Sequence, residues 1–521
     1  MGTVMGRNGM VACSQRLASL VGVQVLAEGG NAVDSAVATA AMLGVLEPMS
    51  IGIGGDAFAL LYVAESGEMK ALDASGRSPY GADAEAFRKE SLDAVPQTGI
   101  HSVTVPGAVD GWETLLAAHG TRTLATLLEP AIRCAQEGFP VSAFTSEEWR
   151  GLEAKLRKNE EAAGGYLVDG RAPRPGEIFR QPDLARTLRG IAEGGAEYFY
   201  RGEVAEKLVL CSRKLGGAFS MRDMEEHASE WVEPIHASYR GHEVYQLPPA
   251  TQGFVALEML GILEGYDLGS LEHNGADHLH LFIEAKKRAF ADRELYLADR
   301  DSMTVSWGEL AAEARIAALR AGIAMEKAAA RVDAAPVEGD TEYVAVADGQ
   351  GNRVSFIQSL FMGFGSGVAV EDTGIVLQNR GHMFCLQEGH PNRLAPHKRC
   401  SHTLMPGMVL RDGRPVLVVG LKGGHVQAQV QSQIIANVVD FGMSAQEALA
   451  APRFNHLSGV EVALEPGVAP DAVKGLEARG HRVVSGPPES FGGAHAIAIE
   501  PDTGVLMGGS DPRKDGCAIG F

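Results

Sequence analysis

Thr341 stands where a loop enters a predicted hairpin, and its hydroxyl is a candidate nucleophile. Small and β-branched residues run from Tyr343 to Ala347, turn residues fill 348–352, and Val354 to Ser359 returns as a second strand. A threonine hydroxyl is a poor nucleophile, but a neutral α-amino group on the same residue can act as its base. Thr341 gains such a group only if its bond to Asp340 is broken.

The chemistry of a free amine gives this cut a purpose. Free α-amines titrate near pH 7.7 to 8.0, so roughly 10 to 20% would be unprotonated at neutral pH. The pattern therefore predicts a chain cut between Asp340 and Thr341, into a large piece of residues 1–340 and a small piece of residues 341–521. The competing interpretation is an uncut chain in which Thr341 is an ordinary strand residue, which β-propensity alone would explain.

Five groups of residues give the chain a family resemblance. They are, in chain order, Glu28 to Asp34; Val105-Pro106-Gly107; Glu284-Ala285-Lys286 with Phe290 to Arg293; Thr341 to Asn352 with Gly365-Ser366-Gly367 and Gly423-Gly424; and Ser510 to Arg513. Together they resemble the γ-glutamyltransferase family of N-terminal-nucleophile hydrolases over almost the whole chain.

The resemblance implies a fold and a maturation step in which the precursor is cut. The fold would be of the α/β class, as a four-layer αββα sandwich, in which residues 1–340 supply a helical scaffold and part of the sandwich. The precursor would cut itself before Thr341, and the catalytic piece 341–521 would stay bound to the large piece as a heterodimer. Further pairing of such heterodimers is left open. The chemistry would require no metal and no organic cofactor.

The resemblance also implies a catalytic centre. Thr341 would be the nucleophile, and Ser359 lies where relatives keep a threonine whose hydroxyl supports it; an ordinary strand serine is the alternative. Gly423 and Gly424 would offer backbone N–H groups to the oxyanion, and glycine leaves room for that approach. A plain strand-to-helix turn explains the same glycines.

The predicted substrate contacts depart from the family's pattern. Arg77 is a candidate for gripping a carboxylate at two points, but it follows Asp73 by four residues where the commoner spacing is two. An ion pair with a loop carboxylate is the alternative. Relatives bind the substrate's ammonium with an Asp pair where this chain has residues 381–383, and Phe361 replaces an asparagine. The other candidate contacts are Asn379, Arg380, and His402 and Thr403, which replace two serines.

These departures favour an acyl group that is anionic but need not carry an α-amine. We expect an amidohydrolase or acyltransferase acting on a small amide, γ-glutamyl or similarly anionic, with water or an amine as acceptor. One alternative is the same chemistry on a non-glutamyl amide such as oxamate or a glutaryl-cephalosporin. The other is an inactive relative that serves as a scaffold.

Composition and charge argue against several other classes of protein. A formal charge of −20 argues against nucleic-acid binding. The sequence has no run of 18 apolar residues, so we predict no membrane-spanning helix. The first ten residues lack a secretory pattern, so we expect a cytoplasmic protein. The six cysteines lack CxxC pairs, which is consistent with reduced thiols, and the 16 histidines lack the spacing of metal ligands.

Several elements must position this chemistry. Apolar residues at helical spacing predict helices from Ala12 to Ala27 and from Ala32 to Leu46, the second of them buried. The glycines of 52–56 do not have GxGxxG spacing, and the strand Phe58 to Val63 follows them where a phosphate loop needs a helix. We therefore predict a tight turn packed against the hairpin.

Two further segments are predicted around the hairpin. The charged residues between Glu284 and Arg293 are expected to form a solvated helix face with i,i+4 pairs. The stretch from Asp333 to Asp340 is predicted to be irregular.

Overall fold

A computed structural model describes residues 2–89, 91–330 and 339–521. The predicted irregular stretch Asp333 to Asp340 lies outside these ranges except for its last two residues. No helix of the described ranges has the length and apolar character needed to cross a membrane.

The described strands are β1 (Val4–Gly6), β2 (Gly9–Cys13), β3 (Asp56–Val63), β4 (Glu68–Ala74), β5 (Phe139–Pro140), β6 (Ile178–Phe179), β7 (Glu230–Val232), β8 (Ile235–Tyr239), β9 (His242–Gln246), β10 (Asp340–Asp348), β11 (Arg353–Phe361), β12 (Ala369–Val370), β13 (Ile375–Val376), β14 (Gly407–Arg411), β15 (Arg414–Lys422), β16 (Phe454–Ser458), β17 (Glu461–Leu464), β18 (Arg482–Ser485), β19 (Gly493–Ile499), β20 (Leu506–Ser510) and β21 (Cys517–Gly520).

The described α-helices are α1 (Arg16–Ala27), α2 (Ala32–Leu46), α3 (Ala84–Lys89), α4 (Ala108–His119), α5 (Leu124–Glu137), α6 (Ala143–Arg150), α7 (Glu153–Leu156), α8 (Glu160–Tyr166), α9 (Pro182–Tyr200), α10 (Glu203–Lys214), α11 (Met221–Glu225), α12 (Gly253–Leu263), α13 (Ala276–Tyr296), α14 (Trp307–Leu310), α15 (Glu313–Ala321), α16 (Val426–Val439), α17 (Ala445–Ala450) and α18 (Pro470–Ala478).

Two seven-stranded antiparallel sheets form the centre of the molecule. Their strand orders are β1-β20-β19-β15-β14-β9-β8 and β21-β2-β10-β11-β3-β4-β7. A buried apolar cluster joins them, with Phe58 and Tyr343 from one sheet and Met408 and Ile497 from the other. The sheets therefore pack face to face, which lets side chains from both reach one site.

Helices cover the outer face of each sheet. One apolar cluster joins α1, α2, α4, α5 and α9 to the outer faces of β10 and β11, and another joins α12, α13, α16 and α17 to β15. The order of layers is helix, sheet, sheet, helix. The predicted αββα sandwich is confirmed, and it buries both faces of the central strands β10 and β11.

The predicted hairpin is present as β10 and β11. Its ladder pairs Val344 with Phe356 and Asp340 with Phe361, and the register shifts between Asp340 and Glu342. Thr341 lies in this irregular step, which resembles the β-bulges that often re-aim side chains next to functional sites. The hairpin thus places the predicted nucleophile at the N-terminal end of the central strand β10.

The tight turn at 52–56 is confirmed. The N–H of Gly55 donates to the carbonyl of Gly52 at 3.2 Å, and a Cβ added to Gly55 would lie 2.3 Å from the carbonyl oxygen of Ser359. Glycine is required here because the turn contacts the backbone of β11.

Two expectations about secondary structure and burial are wrong. The helix predicted from Ala12 begins at Arg16, because residues 9–13 form β2 between β10 and β21. The charged run of α13 has the predicted i,i+4 pairing, between Glu284 and Arg288, but it is not a solvated face: Glu284, Lys286 and Lys287 are at most 1% exposed. Lys287 and Arg288 pair with Glu284 at 2.8 and 2.9 Å, so the charges compensate each other inside the protein.

Candidate active site

The hydroxyl of Thr341 is buried at the N-terminal end of β10, in contact with Ser359. Thr341 Oγ1 donates to Ser359 Oγ at 3.1 Å. Ser359 Oγ in turn donates to the carbonyl oxygen of Asp340 at 2.6 Å and accepts the backbone N–H of Phe361 at 2.7 Å. One serine therefore orients the nucleophile and polarises the carbonyl of the peptide bond immediately before it.

Gly424, the second glycine of the predicted oxyanion loop 423–424, lies against the segment that precedes Thr341. A Cβ added to Gly339 would be 2.9 Å from Gly424 Cα and 3.1 Å from Gly424 N. Both glycines have positive φ, at 137° and 61°, a conformation that L side chains rarely adopt. The predicted oxyanion loop and the predicted nucleophile are thus brought together.

Arg380 is a buried cation next to this centre. Its Nη1 donates to Thr403 Oγ1 at 3.0 Å, and its Cζ lies 4.0 Å from the centre of the Phe361 ring. Among the described residues, Nε and Nη2 have no hydrogen-bond partner. Burial lowers the pKa of Arg380 to about 10, although Cys400 and Asp56 oppose that shift. The guanidinium therefore stays charged at neutral pH, with two donors still to be satisfied.

Asp56 and His402 form a buried pair beside Arg380. The register of β3 on β11 places Asp56 opposite Ser359, and its Oδ2 lies 3.2 Å from His402 Nε2. Burial raises the pKa of Asp56 to about 7, against the lowering effect of Arg380. Burial, and secondarily Arg380, holds the pKa of His402 well below its usual range. His402 is therefore neutral. Because its Nδ1 accepts the backbone N–H of Leu404 at 3.4 Å, Nε2 carries the proton and donates it to Asp56.

The other oxygen of Asp56 is also occupied. Its Oδ1 accepts the backbone N–H of Gly76 at 3.0 Å and Gln378 Nε2 at 2.9 Å. Three donors therefore converge on this carboxylate, which leaves it poorly placed to bind a ligand's ammonium group.

Arg77 and Asn379 lie near this centre but are bound to protein groups. Arg77 pairs with Glu230 at 3.1 Å and with Asp299 at 3.3 Å, which favours the ion-pair alternative for this residue. The Asn379 side chain accepts the N–H of Met362 at 3.1 Å and donates to the carbonyl of Gln97 at 2.8 Å. Asn379 thus fixes the chain that follows β11.

Three residues of this region were not predicted from the sequence. Asp56 ends the glycine turn, where the pattern indicated only a turn. Lys422 ends β15 and pairs with Asp340 at 3.1 Å. Gln252 donates to the carbonyls of Thr403 at 2.9 Å and Gly424 at 3.1 Å. A signal was available for Lys422 alone, since it directly precedes the predicted oxyanion glycines.

Comparison with known proteins identifies the family. A sequence model described as Gamma-glutamyltranspeptidase matches residues 18–521. The chain belongs to the gamma-glutamyltranspeptidase family. It is therefore an enzyme of the hydrolase and transferase type, and the resemblance seen in its motifs is confirmed.

Relatives of this gamma-glutamyltranspeptidase family member differ in the substrates that their names state. The glutathione hydrolase-like YwrD proenzyme of Bacillus subtilis is 40% identical, covering 100% of this chain and 99% of its own. The oxamate amidohydrolase proenzyme of Klebsiella pneumoniae is 36% identical, covering 99% and 98%. A solved cephalosporin acylase from Bacillus halodurans is 40% identical and superposes with a TM-score of 0.95, covering 100% of this chain and 97% of its own.

One group of described residues in this gamma-glutamyltranspeptidase family member has the spacing of metal ligands. His280, Glu284 and His481 have candidate ligand atoms within 4.8 Å of one another. The Glu284 carboxylate, however, already accepts Lys287 Nζ at 2.8 Å and Arg288 Nη1 at 2.9 Å. Both oxygens of Glu284 therefore already accept a cationic side chain, and His280 Nδ1 lies within hydrogen-bond distance of His481 Nε2, at 2.8 Å. We interpret the group as structural.

A cavity of about 190 Å³ adjoins the segment that follows Arg380. Its walls include Phe87, Val103, Thr104, Gly381 and Phe384. Thr341, Ser359, Gly423 and Gly424 are not among its lining residues, so this cavity is distinct from the centre around the nucleophile.

Proposed function

We propose that Thr341 first cuts the chain before itself and then hydrolyses a small amide whose acyl group carries a carboxylate but no α-amine. The contact of Ser359 with both Thr341 Oγ1 and the Asp340 carbonyl supports the cut. Arg380 Nε and Nη2, which have no hydrogen-bond partner among the described residues, support the choice of an acyl group that carries a carboxylate.

The cut would be an N-to-O acyl shift. Thr341 Oγ1 bonds to the carbonyl carbon of Asp340, the bond from that carbon to the Thr341 nitrogen breaks, and the hydroxyl proton ends on the nitrogen. Ser359 assists because its hydroxyl hydrogen-bonds the oxygen on which negative charge develops. Water then hydrolyses the ester, which leaves a free α-amine and a free hydroxyl on Thr341.

Turnover would reuse the same atoms. The α-amine of Thr341 takes the hydroxyl proton as Oγ1 attacks the substrate carbonyl, and the N–H groups of Gly423 and Gly424 stabilise the oxyanion. The leaving amine departs with the proton. Water, or a second amine, then releases the acyl group.

The acyl group is inferred from charge. Arg380 offers unpaired donors to an anion in a buried setting, where a charge-assisted hydrogen bond is strong. Asp56 is a carboxyl group whose charge acts on Arg380, but its oxygens already accept three donors. The oxamate amidohydrolase relative, whose named substrate carries a carboxylate beside its amide, supports the same inference.

The cut is tested on the full-length protein. Denaturing electrophoresis should resolve two bands whose masses add to 55.0 kDa, and N-terminal sequencing of the smaller one should begin Thr341-Glu342-Tyr343. Thr341→Ala should stay as one band. Active protein that remains a single chain would contradict the proposal.

The acyl group is tested with a matched set of anilides. Glutaryl-p-nitroanilide and γ-glutamyl-p-nitroanilide differ only by an α-ammonium, and butyryl-p-nitroanilide lacks the carboxylate. We expect the glutaryl compound to have the highest kcat/KM. A preference for the γ-glutamyl compound would instead support the glutathione hydrolase activity that the name of the Bacillus subtilis relative implies.

A further inference from the structure

Lys422 makes ion pairs with the residues on both sides of Thr341. Its Nζ lies 3.1 Å from Asp340 Oδ1 and 3.1 Å from Glu342 Oε1, and 3.5 Å from Glu148 Oε2. It is the last residue of β15 and is buried. One ammonium group therefore links the peptide around the nucleophile to the start of the glycine loop.

The carboxylate of Asp340 makes a second contact that matters for the cut. Its Oδ1 accepts the backbone N–H of Thr341 at 3.2 Å. That nitrogen is the atom that becomes the leaving amine. The scissile peptide is thus held at both polar atoms, since Ser359 binds its carbonyl oxygen and Asp340, anchored by Lys422, binds its N–H.

Several buried acidic side chains surround Lys422. Glu148 also contacts Lys514, at 3.2 Å, and Glu47 lies beside Glu342. Burial, reinforced by Glu342, raises the pKa of Glu47 well above its usual range, so it carries a proton. Burial pushes the pKa of Asp340 upward, but Lys422, together with Ser50 and Lys514, outweighs burial and the net shift is downward. Asp340 is therefore ionised, as its contact with the N–H requires.

We propose that Lys422 is a positioning residue for self-cleavage, holding Asp340 on the N–H of the peptide that Thr341 attacks. The inference rests on the proposed cut between Asp340 and Thr341. Lys422 exchanges no proton and forms no covalent bond in the step. It fixes the direction of the peptide plane relative to Thr341 Oγ1, and small errors in such alignment are costly in rate.

A simpler role for Lys422 would be to neutralise buried acids. The two roles are separable, because Asp340→Ala removes the contact with the peptide N–H but leaves Lys422 with Glu342 and Glu148. If Lys422 serves only charge balance, Asp340→Ala has little effect on cleavage. If it positions the peptide, Asp340→Ala and Lys422→Met slow cleavage alike.

The test follows cleavage of freshly purified full-length protein on denaturing gels, in wild type, Lys422→Met, Lys422→Arg and Asp340→Ala. Lys514→Met is the matched control, since Lys514 belongs to the same acidic group but pairs there with Glu148. We expect Lys422→Met and Asp340→Ala to cleave roughly 10- to 100-fold more slowly than wild type. Lys422→Arg should recover most of the rate, and Lys514→Met, which leaves the contacts of Asp340 with Lys422 and with the Thr341 N–H in place, should slow cleavage less than Lys422→Met does.

Each outcome decides one point. Wild-type cleavage rates in Lys422→Met or Asp340→Ala overturn the inference. A double variant, Lys422→Met with Asp340→Ala, should be no slower than Lys422→Met, and additive slowing also overturns it. If Lys422→Met aggregates on size exclusion, Asp340→Ala decides alone, because it buries no new unpaired charge. Wild type that never cleaves refutes the proposed function instead.

Discussion

The guanidinium carbon of Arg380 lies 4.0 Å from the centre of the Phe361 ring. The stacked ring holds the guanidinium plane beside β11, and Thr403 takes one of its donors. The remaining donors are therefore fixed in direction before any substrate arrives, which lowers the entropy cost of binding an anion.

Replacing Arg380 tests this binding role. Arg380→Met should lower kcat/KM for glutaryl-p-nitroanilide by roughly 10- to 150-fold, the equivalent of about 1.5 to 3 kcal/mol for a charge-assisted hydrogen bond. The same variant should change the hydrolysis of butyryl-p-nitroanilide much less. Arg77→Met serves as the control, because Arg77 is already paired with Glu230 and Asp299. Equal losses on both anilides would mean that Arg380 does not bind the carboxylate.

Ser359 should be needed for cleavage and for turnover. Ser359→Ala removes the donor to the Asp340 carbonyl and the acceptor of the Thr341 hydroxyl, so we expect cleavage to slow by roughly 100- to 1,000-fold. Ser359→Thr keeps the hydroxyl and should restore at least part of the rate. The measurement is the fraction of uncut chain against time. Rapid cleavage in Ser359→Ala would exclude the proposed polarisation of the carbonyl.

Anion binding should weaken as pH rises. Burial raises the pKa of Asp56 to about 7, so above that pH its charge competes with a bound carboxylate for Arg380. A bound anion favours protonated Asp56, and by linkage low pH favours binding. The inhibition constant of glutarate should therefore rise between about pH 6 and pH 8. Asp56→Asn should flatten this dependence, and an unchanged slope in that variant would assign it to another group.

The glycine loop should not tolerate a side chain at Gly423. A Cβ there would lie 2.6 Å from Val426 Cγ1, and φ is 137°. Gly423→Ala should displace the oxyanion donors and reduce kcat roughly 100-fold or more. Gly413→Ala is the control, because Gly413 also has positive φ, at 74°, but has open space around it. If both variants keep wild-type kcat, the loop does not bind the oxyanion.

The local part of the fold was accessible from the sequence. The small and β-branched residues on either side of the turn residues 348–352 predicted the hairpin, and the ordered motifs predicted the family and its sandwich. The strand β2 was missed because its partners, β10 and β21, lie more than 300 residues further along the chain. Such pairing overrides the helical periodicity of a short apolar run.

The candidate site was predicted only where a motif carried it. Thr341 contacts Ser359 and Gly424 lies against Gly339, while the catalytic roles of Thr341, Ser359, Gly423 and Gly424 stay predictions. The part played by Asp56 depends on the register of β3 on β11. The burial of Glu284 and Lys287 likewise depends on which face of α13 the second helical layer covers, and charge spacing does not reveal that. The cytoplasmic location stays a prediction.

The strand order has a consequence for the cut protein. β2 comes from the region before Thr341, yet it lies between β10 and β21, which come from the region after it. A single break at residue 340 would leave these ladders intact, so two polypeptides would share one set of backbone hydrogen bonds. Neither piece could complete either sheet alone. Once unfolded, the cleaved protein should not refold readily. The lifetime of its folded state would then be set by the rate of unfolding rather than by an equilibrium free energy of unfolding.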